Sequence, residues 1–231
     1  MLLTGEVGTG KTTVCRYLLE QLPDHVDIAL CLNPRLNEVE LLANICDEMG
    51  IDYPPSVSSG KVLMDALNRH LLEVHRRGRR AVLIIDEAQN LTRAVLEQVR
   101  LLTNLETANA KLLQIILIGQ PELLDILSRK DMRQLNQRIT ARYHLENMSS
   151  AESRDYIFHR VGIGGLSGDV FGWDAVNEIC RLSNGIPRLI NSICDRCLLG
   201  AYAQGRKKID KRLVRLAGKE VLGGDGGADG E

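Results

Sequence analysis

Aromatic residues are scarce, with two Phe, one Trp and five Tyr in 231 residues. A chain so poor in rings carries no base-stacking platform of the kind used by single-strand binders. Net charge is also nearly absent: 29 Lys plus Arg face 30 Asp plus Glu, a formal charge of −1. No global field therefore draws the protein to nucleic acid or an acidic membrane, and any such contact must come from a local basic cluster. Long apolar runs are missing too, the longest being strand-like stretches such as Leu112 to Gly119. None approaches the ~18 to 20 residues needed to cross a bilayer. The start, Met1-Leu2-Leu3-Thr4-Gly5, lacks the basic and apolar regions of a secretory signal, which predicts a cytoplasmic location. Cys194 and Cys197 alone have metal-like spacing, and no second pair or histidine pair completes a zinc site. The six cysteines read as reduced core thiols, and the five scattered histidines as structural or surface residues.

What remains, 44% hydrophobic and 26% charged, is the composition of a soluble globular protein, and the length of 231 residues predicts one core domain and a smaller addition. Short apolar runs at Met1 to Thr4, Val26 to Leu32, Ala81 to Ile85, Leu112 to Ile118 and Arg142 to Leu145 predict strands. Helical periodicity separates them, as a parallel sheet requires. Val39, Leu41, Leu42, Ile45 and Met49 line one helix, and Val62, Leu63, Leu67, Leu71, Leu72 and Val74 another, so the two are expected to cover both sides of the sheet. The turn residues from Tyr53 to Gly60 predict a loop between them. After Asn147 only helical patterns continue: Ser150 to Val161, Trp173 to Ser183, Pro187 to Ala203 and Asp210 to Leu222. The predicted division is an α/β core over residues 1–148, an all-helical domain over 149–222 and a disordered Gly- and acid-rich tail over 223–231.

Gly5-Glu6-Val7-Gly8-Thr9-Gly10-Lys11-Thr12, followed by Thr13, fits the P-loop pattern and sits between a strand and a helix. Glycines let backbone N–H groups converge on phosphate oxygens, and the helix adds its positive end. Lys11 is the candidate for the β and γ phosphates, and Thr12 for Mg²⁺. The strand Ala81 to Ile85 delivers Asp86-Glu87. Asp86 is the second candidate metal ligand, through a water, and Glu87 the base for the attacking water. Gln120 ends the Leu112 to Gly119 strand, where it either touches the γ phosphate or lytic water or is an ordinary loop glutamine. Asn33, ending the second strand, is a candidate restraint on Glu87.

These pieces, in this order, resemble the AAA+ ATPases. The resemblance implies ATP with Mg²⁺ as cofactors, a five-stranded parallel sheet in the order 5-1-4-3-2, and a helical lid. Gly185-Ile186-Pro187-Arg188 is similar to the sensor-2 motif, implying that Pro187 and Arg188 reach the nucleotide from the lid. Leu135-Asn136-Gln137-Arg138-Ile139 is similar to the arginine-finger segment, implying that Arg138 completes a neighbouring subunit's site in a homo-oligomer; Arg142, four residues on, is the alternative.

More closely, Thr4 to Thr13, Leu83 to Leu91, Leu101 to Thr107, Gln114 to Leu123, Leu135 to Leu145 and Gly185 to Ala203 resemble the ATPase region of the GspA/ExeA family of general (type II) secretion. That resemblance implies partners in a secretion complex at the inner membrane. Members begin some tens of residues before the P-loop and continue into a membrane helix and a wall-binding segment. The expectation is therefore a fragment or mis-started chain lacking part of the adenine pocket, in which the site could bind nucleotide yet hydrolyse little. Transposition ATPases of the TniB/TnsC type share the core motifs, so a DNA-associated ATP switch is the alternative. For DNA the candidates are the runs Arg76-Arg77-Gly78-Arg79-Arg80 and Arg206-Lys207-Lys208 with Lys211, Arg212 and Arg215, which equally suit solvated helix ends.

Overall fold

The computed structural model describes residues 1–32, 36–54, 59–166 and 169–223. Asn33, the middle of the Tyr53 to Gly60 loop (55–58), part of the Gly162 to Gly172 connection (167–168) and the tail 224–231 lie outside the described residues. Two compact units emerge: Met1–Glu6 with Lys11–Leu145, and Val7–Gly10 with Glu146–Glu231.

The first unit is built on five strands: β1 (Leu2–Gly5), β2 (Val26–Cys31), β3 (Arg80–Ile85), β4 (Leu113–Gly119) and β5 (Arg142–Leu145). Their order is β2-β3-β4-β1-β5, with every pairing parallel, which is the expected 5-1-4-3-2 arrangement. Alternation sends Ala81, Leu83 and Ile85 to one face and Val82 and Ile84 to the other.

Between the strands run α1 (Lys11–Glu20), α2 (Glu38–Glu48), α3 (Gly60–Arg76), α4 (Arg93–Leu102), α5 (Glu122–Ser128) and α6 (Arg133–Arg138). Asn37 and Glu40 form a capping box that starts α2, and Thr92 caps α4. The expectation that α2 and α3 cover opposite sides of the sheet is corrected. Leu41, Leu42 and Ile45 of α2 share one core with Leu63, Leu67 and Leu71 of α3, on the Leu83 face. Both helices belong to a single β2-to-β3 crossover, and a crossover of fixed hand lies on one side only. The Val82 face is covered by α1 through Cys15 and Leu19.

The second unit contains α7 (Ser150–Ile163), α8 (Trp173–Ser183), α9 (Pro187–Ala203) and α10 (Lys211–Leu222). Ser149 and Glu152 form a capping box on α7, Pro187 occupies the first turn of α9, and Asp210 caps α10. Ile157, Val176, Ile179, Ile190, Ile193, Cys197 and Val214 make its core. Between α8 and α9 the chain reverses through Asn184 (φ 48°) and Gly185 (φ 72°). A side chain at Gly185 would place its Cβ 1.9 Å from the Met148 carbonyl oxygen, so only glycine fits. No helix of the described residues is long and apolar enough to cross a membrane.

One buried charge stands out here. Glu178 on α8, with 4% of its side chain exposed, accepts from Arg181 at 2.9 Å and Arg215 at 2.9 Å, with the Lys211 ammonium 3.6 Å away. The Arg181 hydrogen bond is the main cause that holds its carboxyl down at about 2; burial opposes this and Arg215 reinforces it. A folded-state value below the unfolded one means stability that is complete above the ordinary carboxylate range of about 4.5 and is lost as pH falls toward about 2. Glu178→Gln weakens these two bonds, whose arginines are largely exposed, by about 1.5–3 kcal/mol in all. Its midpoint at pH 7 is expected to drop by roughly 3 to 12 °C. Thermal melts at pH 7 and pH 3 should show the variant losing less stability than the wild type between those two pH values.

Candidate active site

Lys11 opens α1 directly beyond the glycine loop. Its ammonium is buried, 7% exposed, and donates to the Gly5 carbonyl at 2.7 Å and the Glu6 carbonyl at 2.8 Å. A buried ammonium requires such acceptors, and anionic oxygens would replace them on better terms. Gly8 (φ 84°) and Gly10 (φ 100°) hold the loop in backbone conformations that favour glycine. Glu6 and Val7 are exposed, Thr9 is buried, and Thr13 is exposed on the first turn of α1.

In the second unit, which includes Val7–Gly10, the Gly8 carbonyl accepts from the Arg188 backbone N–H at 3.2 Å. A methyl group on Gly8 would lie 2.7 Å from the Arg188 Cβ, so the approach itself requires glycine. Arg188 and Ile186 thus stand beside the loop residue Gly8.

The end of β3 supplies the carboxylates. Asp86 is buried, and each of its oxygens is used: Thr12 Oγ1 donates to Oδ2 at 2.8 Å, and the Glu87 N–H donates to Oδ1 at 2.8 Å. The hydroxyl and the carboxylate therefore meet although 74 residues separate them. Both are hard oxygen donors, the set that suits Mg²⁺, and the buried cationic lysine beside bare glycine backbone suits a polyphosphate. The residues present fit both groups.

Glu87 has a left-handed backbone (φ 53°, ψ 36°), a strained conformation for a residue with a side chain. It starts the short 3₁₀ turn Ala88–Asn90 and so aims its carboxylate differently from its neighbour's. Gln120, at the end of β4, donates from Nε2 to Glu87 Oε2 at 3.3 Å. Lys11, Thr12, Asp86, Glu87 and Gln120 are thus collected at the C-terminal ends of β1, β3 and β4, where open α/β sheets bind ligands. A residue that sequence reasoning missed also lies here: Gln89 donates to the same Glu87 oxygen at 2.6 Å. Nothing in its spacing sets it apart, since it follows Glu87 by two places in an irregular turn.

Arg138 lies elsewhere in the same unit. It ends α6, is exposed, and donates to the Thr103 carbonyl at 3.2 Å. With Met1, Leu113 and Ile115 it lines a cavity of about 470 Å³ at the start of β1 and β4. Six residue steps along β4 from Leu113 to Gly119 amount to ~20 Å, so Arg138 is far from its own Glu87. Arg142, the alternative, is held by two hydrogen bonds to Asn136, at 3.0 and 2.5 Å.

Most cations of the basic runs have a carboxylate partner among the described residues, although several share one and each run keeps a positive excess. Arg76 and Arg77 pair with Glu73, and Arg79 with Asp27. Arg206 pairs with Asp210, Lys208 with Asp169, and Lys211 and Arg215 with Glu178.

The family model described as AAA domain matches residues 1–127. General secretion pathway protein A of Aeromonas hydrophila is 52% identical over 223 residues, which are 96% of this chain and 41% of that protein. The chain thus spans well under half the length of this curated relative. Among solved structures, Cdc6p from Pyrobaculum aerophilum superposes with a TM-score of 0.76 at 23% identity, over 95% of this chain and 60% of that one. Drosophila ORC bound to DNA gives 0.72 at 21% identity, over 96% and 55%. At these identities both show the fold alone. With more than half of its length matched by the family model, and with lysine, threonine and paired carboxylates assembled at the strand ends, the chain belongs to the AAA domain family of P-loop ATPases.

Proposed function

We propose that this ATPase domain hydrolyses ATP with Mg²⁺ as an oligomer, and that turnover drives assembly or remodelling of a secretion complex at the cytoplasmic face of the inner membrane. The observation that carries the enzymatic part is the 2.8 Å bond between Thr12 and Asp86, with Glu87 next in the chain and hydrogen-bonded to Gln120. Lys11 binds the β and γ phosphates and the loop from Gly5 to Gly10 cradles them, with Thr13 at the helix start. Thr12 and, through a water, Asp86 would hold Mg²⁺, which would supply neutralisation of phosphate charge. Glu87 takes a proton from water as the water oxygen bonds to the γ phosphorus. The bond to the bridging oxygen breaks, and ADP and phosphate leave. Gln120 orients the γ phosphate or the water. The helical unit acts as a lid, from which Pro187 and Arg188 contact the nucleotide, and Arg138 enters from a neighbouring copy.

The secretion role is supported by the identity to General secretion pathway protein A over nearly all of this chain. The alternative, a DNA-associated switch of the transposition type, is less well supported, because most cations of both basic runs already face carboxylates. Lys11→Ala tests the phosphate site. Losing one charge-assisted contact of about 1.5–3 kcal/mol is expected to weaken ATP binding by about 10- to 100-fold. Titration with a fluorescent ATP analogue checks it; unchanged affinity would move the nucleotide away from this loop.

A further inference from the structure

The carboxamide of Gln89 is engaged at both ends. Its Nε2 donates to Glu87 Oε2 at 2.6 Å, while its Oε1 accepts from the backbone N–H of Gln120 at 3.1 Å. Gln120 returns through its own Nε2 to the same Glu87 oxygen at 3.3 Å. Three side chains thus close a ring between the end of β3 and the turn after β4.

Two features show that the local backbone is shaped for this ring. The left-handed conformation of Glu87 folds the chain so that Gln89, two residues on, faces back to its carboxylate. Gly119 leaves room for it, since a Cβ there would lie 2.9 Å from Gln89 Oε1 and 2.8 Å from Leu123 Cδ2 and one or both side chains would have to shift.

A glutamate reaches its target through three rotatable bonds, and a catalytic base must be held within about 0.5 Å of productive geometry. Both donors converge on Oε2, and the hydrogen bonds found among the described residues do not use Oε1. The ring therefore fixes the carboxylate through one oxygen and leaves the other outside it.

We infer that Gln89 is a positioning residue for Glu87: it locks the rotamer of the base and ties it to Gln120, so that a displacement at the end of β4 reaches the carboxylate. This rests on the reading of Glu87 as the base. Gln89 itself exchanges no atom with substrate.

The test is steady-state ATPase activity and ATP-analogue binding by the full chain carrying Gln89→Ala, Gln120→Ala, both together, Gln89→Glu, or Glu87→Gln. Gln89→Ala is expected to lower kcat by about 10- to 100-fold, the cost of a misplaced reacting group, with KM and analogue affinity unchanged within about twofold. Because the two amides belong to one ring, the double variant is expected to fall no further than about twofold below the weaker single. Gln89→Glu, which keeps the shape but sets a second carboxylate against Glu87, is expected to lose at least as much and carries the test if the alanine variant melts early. Wild-type kcat in a folded Gln89 variant, or a double variant equal to the product of the singles, overturns the inference. Glu87→Gln separates the two levels: if it keeps turnover, the base assignment fails and this inference with it. If it is silent while Gln89→Ala is unimpaired, only the role of Gln89 fails.

Discussion

Arg138→Ala is expected to retain ATP binding and to lose turnover by about 10³- to 10⁵-fold, or roughly 4 to 7 kcal/mol of barrier. The reason lies in where the residue sits. Arg138 is exposed at the end of α6, near the start of β4, whereas Glu87 and Lys11 lie at the opposite ends of the strands. A guanidinium so placed cannot stabilise charge on its own nucleotide, and in the proposed oligomer it would act on that of a second copy. Among the described residues its guanidinium donates to the Thr103 carbonyl and lies in the field of Glu106, while Arg142 is occupied by two bonds to Asn136, which favours Arg138 for the finger. An ordinary surface arginine would contribute no more than about 1 kcal/mol. Mixing decides between the two. An Arg138→Ala subunit keeps an intact phosphate site, and a Lys11→Ala subunit keeps an intact finger. Each is silent alone, and phosphate release should reappear when they are combined. Wild-type turnover by Arg138→Ala alone would remove this residue from the role and leave Arg142 as the candidate.

Glu87→Gln is expected to lower kcat by about 10²- to 10⁴-fold while ATP still binds, because the amide keeps the shape of the carboxylate but cannot take the proton from water. The neighbouring Asp86 cannot substitute. Both of its oxygens are committed, one to the Thr12 hydroxyl and one to the Glu87 N–H, and it is buried. Single-turnover phosphate release with pre-bound ATP isolates the chemical step from nucleotide exchange. A slow step in Glu87→Gln against a fast one in the wild type fits the scheme. Equal rates would point to a different base or to release as the slow event.

Much of this arrangement is legible from residue order, for identifiable reasons. Strands buried on both faces read as continuous apolar runs, so Ala81 to Ile85 and Leu112 to Ile118 stand out within a residue or so of β3 and β4. The glycine spacing before Lys11 and the Asp86-Glu87 pair announce their chemistry because few other combinations of residues fit it. Other features leave no such trace. Two amphipathic helices between the same pair of strands look alike wherever they pack, so the shared face of α2 and α3 became visible only through the crossover. Gln89 is hidden for a different reason. Its place beside the carboxylate comes from the left-handed backbone of Glu87, and a residue with a side chain gives no warning that it will adopt that conformation. The basic runs are legible only in part: they suit solvated helix ends or phosphate contacts alike, and three of their carboxylate partners, Asp27, Asp169 and Glu178, are distant in sequence.

The central claim is that one strand-end cluster both grips the triphosphate and readies water against it. A crystal structure with a nonhydrolysable ATP analogue tests it most directly. The account predicts that the Lys11 ammonium leaves the Gly5 and Glu6 carbonyls for phosphate oxygens, with the Glu87 carboxylate facing the terminal phosphate. An analogue bound away from the glycine loop, or Glu87 turned from the terminal phosphate with Lys11 still on its carbonyls, would contradict it.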